Sequence, residues 1–368
     1  MKLGMVFYRH QATEEYLRYA RQLGCTHVVL HLTDYFHKEN AAQGTDNQPV
    51  GDRDGWGVTR NRTVWTTDEL FAIKKTVEDA GLVWEAIENF DPGFWYDVLL
   101  DGPERDAQME GLKTLIRNMG EAGIPVMGYN FSLAGVAGRT TGPQGRGGAE
   151  TVIIDGRTDE PPIPRGMVWN MIYDPENFGK GVLPPTTSEQ LWDRFARFLK
   201  EIVPVAERAG VAMALHPDDP PFDTVRGTPR LVYRIPLYQK VLDIVPSASN
   251  GIECCVGTLG EMEGGDDLYA WLAKYAARGA IKYVHLRNIR GKVPHFVETF
   301  LDEGDIDVLR VVRVLADNGF DGVVIPDHSP LVSCDTPWLT GMAYALGYIR
   351  ASMQAVERGC TIPDARGM

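Results

Sequence analysis

The sequence predicts an α/β fold, an eightfold β/α (TIM) barrel, and three observations carry that prediction. Eight short apolar runs rich in β-branched residues alternate with segments of helical period. Several of those segments close on a glycine just before the next apolar run, where a helix-ending C′ glycine belongs. The 368 residues suit one large barrel, a single catalytic domain over 1–368 with no linker to divide it. An open sheet fits less well, because turns this short between helix and strand suit a closed repeat.

In chain order, LGMVFY (3–8) is the first strand and ATEEYLRYARQLG its helix; HVVLHL (27–32) is the second, followed by TTDELFAIKKTVEDAG. LVWEAIE (82–88) leads to ERDAQMEGLKTLIRNMGEAG, and PVMGYNF (125–131) to TSEQLWDRFARFLKEIVPVAERAG. VAMALH (211–216), GIECC (251–255), IKYVHL (281–286) and GVVIPD (322–327) complete the eight, with DIDVLRVVRVLADNG as the clearest late helix. Two segments exceed ordinary loops, 33–65 after strand two and 132–186 after strand four. In a barrel both lie on the face that carries active sites, as binding walls or lids; a subunit-contact arm is the other reading of the second.

Composition bounds the partners. A net charge of −13 repels phosphate backbones and anionic headgroups, so neither nucleic acid nor membrane is an expected partner. No run approaches about 18 apolar residues, and MKLGMVFYRH lacks a signal-peptide layout, so a cytoplasmic location is expected. Five cysteines without framework spacing argue for ligands or core residues over disulfides.

Strand tips of a barrel point into one shared site however far apart they are in sequence. Strands five to eight end on His216, on Cys255 or Cys254, on His285 and on Asp327. Neighbouring strands lie about 4.8 Å apart, so donors on four of them converge on one ion. Alternation sends Cys254 and Cys255 to opposite faces, so one of the two is the ligand. Two histidines and a carboxylate suit Mn²⁺, Fe²⁺ or Zn²⁺, and a thiolate leans toward Fe²⁺ or Zn²⁺.

The stretch LHPDDPPF follows His216 with Pro217, Pro220 and Pro221, which stiffen the turn behind the histidine. Asp218 and Asp219 are acceptors for a ligating imidazole, substrate contacts, or plain loop carboxylates. Arg287 and Asn288 directly after His285 suit a substrate carboxylate, with Arg287 also stabilising charge in the reaction. His328 beside Asp327 is a candidate acid or base. Tyr129, Asn130 and Arg139 after strand four and Glu88 at the tip of strand three are further contacts, Tyr129 and Glu88 also as second proton-transfer groups. Trp56, Trp65 and NFDPGFWYDV are candidate sugar-stacking aromatics, or core. GEMEGGDD (260–267) lacks EF-hand spacing and reads as a surface loop and helix cap, and GPQGRGG is no phosphate loop.

At LHPDDPP, CVGTLG, HLRN, LDEGDIDV and PDH, the sequence resembles the mannonate dehydratases, a family of the xylose-isomerase-like barrels. Weaker similarity runs through AGLVWEAIE, NMGEAGI and YNF with Arg139 beyond it, so the resemblance covers most of the chain. It implies metal-dependent dehydration of D-mannonate to 2-keto-3-deoxy-D-gluconate. It also implies metal ligation by His216, Cys255 over Cys254, His285 and Asp327, Mn²⁺ or Fe²⁺ over Zn²⁺, and His328 as a catalytic histidine. A homodimer or homotetramer acting on a small sugar acid is the matching expectation. Two departures stand out: the family's proline-glycine-tyrosine after PDH aligns its tyrosine with Leu339, with Tyr344 nearby, and its phenylalanine-histidine-glutamate reads Phe296, Val297, Glu298. The alternatives are an epimerase, isomerase or lyase acting on another sugar with the same metal site, and a sugar-acid sensor.

Overall fold

All eight apolar runs become parallel strands of one closed barrel: β1 (Lys2–Tyr8), β2 (His27–His31), β3 (Val83–Glu88), β4 (Val126–Tyr129), β5 (Ala212–Leu215), β6 (Asn250–Cys255), β7 (Ile281–Leu286) and β8 (Val323–Pro326). Each strand pairs with its neighbours in sequence, and the ring closes where β1 meets β8 at Lys2↔Val323 and Leu3↔Val324. The computed structural model describes residues 1–35, 55–59, 61–156, 160–264 and 267–360. The expected loop over 33–65 therefore lies partly outside the described residues, as do 265–266 of GEMEGGDD.

Helices α1 (Glu14–Gln22), α2 (Thr67–Asp79), α3 (Arg105–Ala122), α4 (Ser188–Ala209), α5 (Leu237–Ile244), α6 (Leu268–Ala277), α7 (Val308–Asp317) and α8 (Pro337–Glu357) follow the strands in turn. Helix α4 shows why. The Thr187 side chain accepts from the Gln190 amide while the Gln190 side chain accepts from that of Thr187, a capping box that starts the helix. Leu191, Phe195, Phe198, Leu199 and Ile202 then recur at three- and four-residue spacing and are fully buried, each stabilising by about 1.5–3 kcal/mol. Gly210 takes φ 69°, the left-handed conformation that ends a helix without a Cβ clash. The Asp267 carboxylate caps α6 through the amides of Tyr269 and Ala270, as the helix-cap reading of its segment expects.

The described parts of both long insertions fold over the C-terminal face. Thr140–Gly142 and Thr151–Asp155 join His295–Thr299 and Asn288–Lys292 in a four-stranded antiparallel sheet. Met167–Val168 and Met171–Ile172 form a hairpin that pairs in parallel with Gly57–Val58 from the first insertion. Among the described residues no helix is long and apolar enough to cross a membrane.

Candidate active site

Register places Cys255 of β6 directly beside His285 of β7, which in turn sits beside Ile325 of β8. His216 and Asp327 are the residues just past β5 and β8. Donor atoms of His216, Cys255 and His285 all lie within 4.8 Å of one another, a grouping able to hold a metal ion. Asp327 closes the set from the fourth strand, its Oδ2 3.7 Å from Cys255 Sγ and its Oδ1 3.6 Å from His285 Nδ1. Cys254 is buried in the apolar core, as alternation requires of the other cysteine.

The donors are chemically prepared. His216 Nδ1 lies 2.6 Å from the Pro217 carbonyl, which can only accept, so Nδ1 carries a proton; burial is outweighed by the Glu253 charge and Cys255, which bring the imidazole up to about 10, so Nε2 would have to release its proton to take a metal. Pro217 thus orients the imidazole through its carbonyl, beyond stiffening the turn. Burial pushes a thiol up, but Arg287 and the imidazoles of His216 and His285 outweigh it and bring Cys255 down to about 6. Burial is likewise outweighed at Asp327, where His328, Arg287 and His285 hold the carboxyl well below the usual range.

Behind these donors lie two carboxylates, Glu88, expected at the tip of its strand, and Glu253, which the sequence did not single out. Glu253, fully buried in mid-β6, sits 3.1 Å from His285 Nε2, and Glu88 is also 3.1 Å from that atom. Burial and the Glu88 charge push Glu253 up to about 8, while the surrounding histidines outweigh burial at Glu88 and lower it to about 2. The pair leaves one negative charge to hold His285 by its outer nitrogen, the arrangement that orients a ligating histidine. Glu88, Glu253 and His285 form a second close group of donors.

Arg287 departs from its expected role. Only 1% exposed, its guanidinium reaches Asp219 (3.0 Å), Glu261 (2.7 Å), Glu298 (3.3 Å) and Asp327 (3.0 Å), and it does not line the pocket. Its two terminal nitrogens are taken up by four carboxylates, and its Nε is buried against Gly257, so it positions Asp327 and its neighbours and leaves a substrate carboxylate to another group. Gly257 packs against it: a Cβ there would stand 2.4 Å from Arg287 Nε, which accounts for the glycine after the cysteine. Glu261, expected on a surface loop, is instead buried against this guanidinium.

Asn288 is a second correction. Its amide donates to the Leu301 and Ile306 carbonyls and its oxygen accepts from the Ile289 and Ile306 amides, so it braces a chain excursion and binds no substrate. Gly304 fits that brace, since a Cβ would lie 2.0 Å from Asn288 Oδ1. Tyr129 is a third: the last residue of β4 points outward, its ring among Phe90, Phe195 and Phe198, while the pocket is lined by others. Asp218 accepts from the Leu231 and Val232 amides and is structural. Asp219 bridges Arg139 (2.9 Å) and Arg287 (3.0 Å) at the pocket wall.

One pocket gathers His216, His285, Asp327, His328, Arg139 and Asp219 with Asn130 and Glu88. His328 presents Nδ1 to Glu298 at 3.0 Å and Nε2 to Asp327 at 3.1 Å. Leu339, at the family's tyrosine position, packs against the core, and its carbonyl accepts from the Tyr19 hydroxyl. Tyr344 is 40% exposed and rests on Phe300, away from the pocket. The pocket's phenols are Tyr8 and Tyr35, and its indoles Trp56, Trp169 and Trp338. Tyr8 and His31 end β1 and β2, so strand-tip reasoning carried around the whole ring would have found them. Of the other expected aromatics, Trp65 packs on Phe94, and Phe90 on Trp95, in the core.

A family model described as D-mannonate dehydratase (UxuA) matches residues 4–160 and 182–362. A mannonate dehydratase of Streptococcus suis (strain 05ZYH33) is 32% identical over 318 residues, 80% of this chain and 85% of that protein. One from Lactococcus lactis subsp. lactis (strain IL1403) is 28% identical over 320 residues, 80% of this chain and 88% of its own. The crystal structure of mannonate dehydratase from Streptococcus suis serotype 2 superposes with TM-score 0.76 at 28% identity, covering 100% of this chain and 97% of that one. A xylose isomerase domain protein of Planctomyces limnophilus, at TM-score 0.56 and 13% identity over 97% of this chain and 99% of its own, shares the fold.

Proposed function

The chain belongs to the D-mannonate dehydratase family, and from that premise we propose that it dehydrates D-mannonate to 2-keto-3-deoxy-D-gluconate in this pocket. It is a sugar-acid hydro-lyase. The observation that carries the reading is the meeting, in one pocket, of His216, His285 and Asp327, with Cys255 beside both imidazoles, and of a histidine held between two carboxylates.

His216, Cys255, His285 and Asp327 would hold one divalent ion, Mn²⁺ or Fe²⁺. The donor set fits: a thiolate lowered to about 6, an imidazole with its proton fixed on the far nitrogen, and a carboxylate kept ionised. When bound, the ion supplies Lewis-acid stabilisation of charge developing on the substrate's oxygens. The reaction removes the C2 proton, which is only weakly acidic beside a carboxylate, and expels the C3 hydroxyl as water. The resulting enol then becomes the 2-keto product by taking a proton at C3. His328 is the proton carrier: Nδ1 is anchored on Glu298, and Nε2, beside Asp327, exchanges the proton with substrate. Arg287 holds Asp327 and Glu298 in place. Arg139, which lines the pocket and pairs with Asp219, would contact the substrate carboxylate as well, with Asn130 and Glu88 as further contacts.

We further propose a cytoplasmic enzyme, a homodimer or homotetramer built on a single (β/α)₈ domain. The proposed dehydration is tested by anaerobic turnover of D-mannonate with Mn²⁺ or Fe²⁺, wild type against His328→Asn. Metal-dependent product from the wild type, reduced about 10²-fold or more in a variant of equal metal content, is expected. Absence of product from metal-loaded wild type would redirect the reading to another sugar on the same barrel.

A further inference from the structure

The pocket has an aromatic wall that neither the metal donors nor the proton carrier uses. Tyr35, Trp56 and Trp169 pack mutually, with ring centroids 5.9 Å (Tyr35–Trp56), 5.6 Å (Tyr35–Trp169) and 5.5 Å (Trp56–Trp169), and all three line the pocket. Each is at most 8% exposed, so they form a closed surface. The wall continues through His31, 5.7 Å from Tyr35 by ring centroids, to Glu88 at 3.4 Å from His31 Nε2.

Trp169 is held in this wall against its own backbone preference. It and Asn170 are the two central residues of the hairpin Met167–Ile172, at φ 48° and 59°. Both central residues of such a tight turn need positive φ, which asparagine and glycine accept and a bulky side chain resists. The turn is nevertheless pinned on every side. Trp169 N–H donates to the Leu133 carbonyl, Asn170 Nδ2 to that of Val136, and Trp56 N–H to that of Asn170. A residue kept in a strained conformation inside a ligand pocket is the expected mark of function. The indole is also wired to the metal pole: Nε1 donates to Asn130 Oδ1 at 3.3 Å, Asn130 Nδ2 donates to the Pro217 carbonyl, and that carbonyl orients His216. The segment that carries the turn falls within 161–181, between the two stretches matched by the family model.

We propose that Trp169 is a specificity-determining residue of this chain: its indole, backed by Trp56 and Tyr35, receives the uncharged tail of the sugar acid and turns away substrates whose tail is charged. The inference rests on the aldonate reading of the site. Carbohydrate C–H groups pack on an indole face, whereas a tail carboxylate pressed against these rings loses its water and meets there only two neutral donors, the Tyr35 hydroxyl and Trp56 Nε1, and no cation.

Trp169→Asn tests it, because asparagine accepts the positive φ and keeps the turn while the indole is lost. Steady-state kinetics are measured on D-mannonate and on D-mannarate, which carries a carboxylate at the tail end as well. Wild type is expected to favour mannonate by about 100-fold or more in kcat/KM. In Trp169→Asn the KM for mannonate rises about tenfold with kcat within about threefold, and the preference over mannarate falls at least about tenfold. Trp169→Phe, which keeps an aromatic face, retains KM within about threefold and separates loss of the ring from loss of the fold. Unchanged KM and unchanged preference in Trp169→Asn overturn the inference alone. Metal-loaded wild type without turnover of mannonate overturns the aldonate reading and this inference with it.

Discussion

Replacing Arg287 with methionine removes the one cation shared by Asp219, Glu261, Glu298 and Asp327, whose side chains are 5%, 0%, 4% and 11% exposed. Removing one partner of a buried ion pair costs about 3–5 kcal/mol, and here several carboxylates lose the same partner, so that range is a floor. Unfolding entropy of about 2.1 cal/mol/K per residue over 368 residues gives roughly 0.8 kcal/mol/K, so the melting temperature falls by about 4–7 °C or more. The pH dependence has a definite sign. Arg287 helps to hold Asp219, Glu298 and Asp327 below their ordinary pKa values, so their stabilisation is present above about pH 4 and is lost as pH falls. Without the cation those pKa values rise, and the variant loses stability as pH rises. Scanning calorimetry of metal-stripped wild type and Arg287→Met at pH 5 and pH 8 reads this directly. The gap between them is expected to be wider at pH 8. A gap under about 1 °C at pH 8, or one that widens toward pH 5, would refute the electrostatic role assigned to Arg287.

Two further predictions address individual residues. The metal-stripped protein should show a thiolate absorbance step near 240 nm with a midpoint about pH 6, neutral below and ionised above, and Cys255→Ser should abolish it, since burial pushes Cys25 to about 12 and Cys254 well above its ordinary value. A step that survives in Cys255→Ser would mean another thiol carries it. Tyr129→Phe should leave kcat/KM within about threefold, because the hydroxyl stands in the helix layer; a loss of about a hundredfold would return the tyrosine to the chemistry.

The barrel was legible because strand and helix periods are local signals. Each of the eight apolar runs needed only its own β-branched residues and a following glycine or cap to be placed. The convergence of the candidate metal donors was legible for a related reason: barrel topology converts the end of a strand into a position in the site, so His216, Cys255, His285 and Asp327 could be gathered without knowing the loops. The same rule misplaced Tyr129 by one residue of alternation, since its neighbour Gly128 is the one facing in, where an added Cβ would meet Tyr283 and Glu253. Arg287 and Asn288 were misjudged because adjacency to a ligand says where a residue starts and not what occupies its donors. Four carboxylates, from the helix Val256–Glu261, the strand His295–Thr299 and the loops past β5 and β8, converge on Arg287, a fact of tertiary packing alone. Glu253 did leave a trace, a lone acid inside the apolar run GIECC. Trp169 left none: a tryptophan in a tight turn carries no sequence signal for the pocket it enters.

The central claim is that four strand tips hold one ion on which sugar-acid dehydration depends. Elemental analysis of purified wild type, His216→Ala and Cys255→Ala, each with parallel D-mannonate turnover, tests it most directly. The account predicts about one Mn²⁺ or Fe²⁺ per wild-type chain, near-complete loss of metal and turnover in both variants, and an unchanged barrel by circular dichroism. Variants that keep the wild-type metal content, or turnover that persists after the metal is gone, would contradict it.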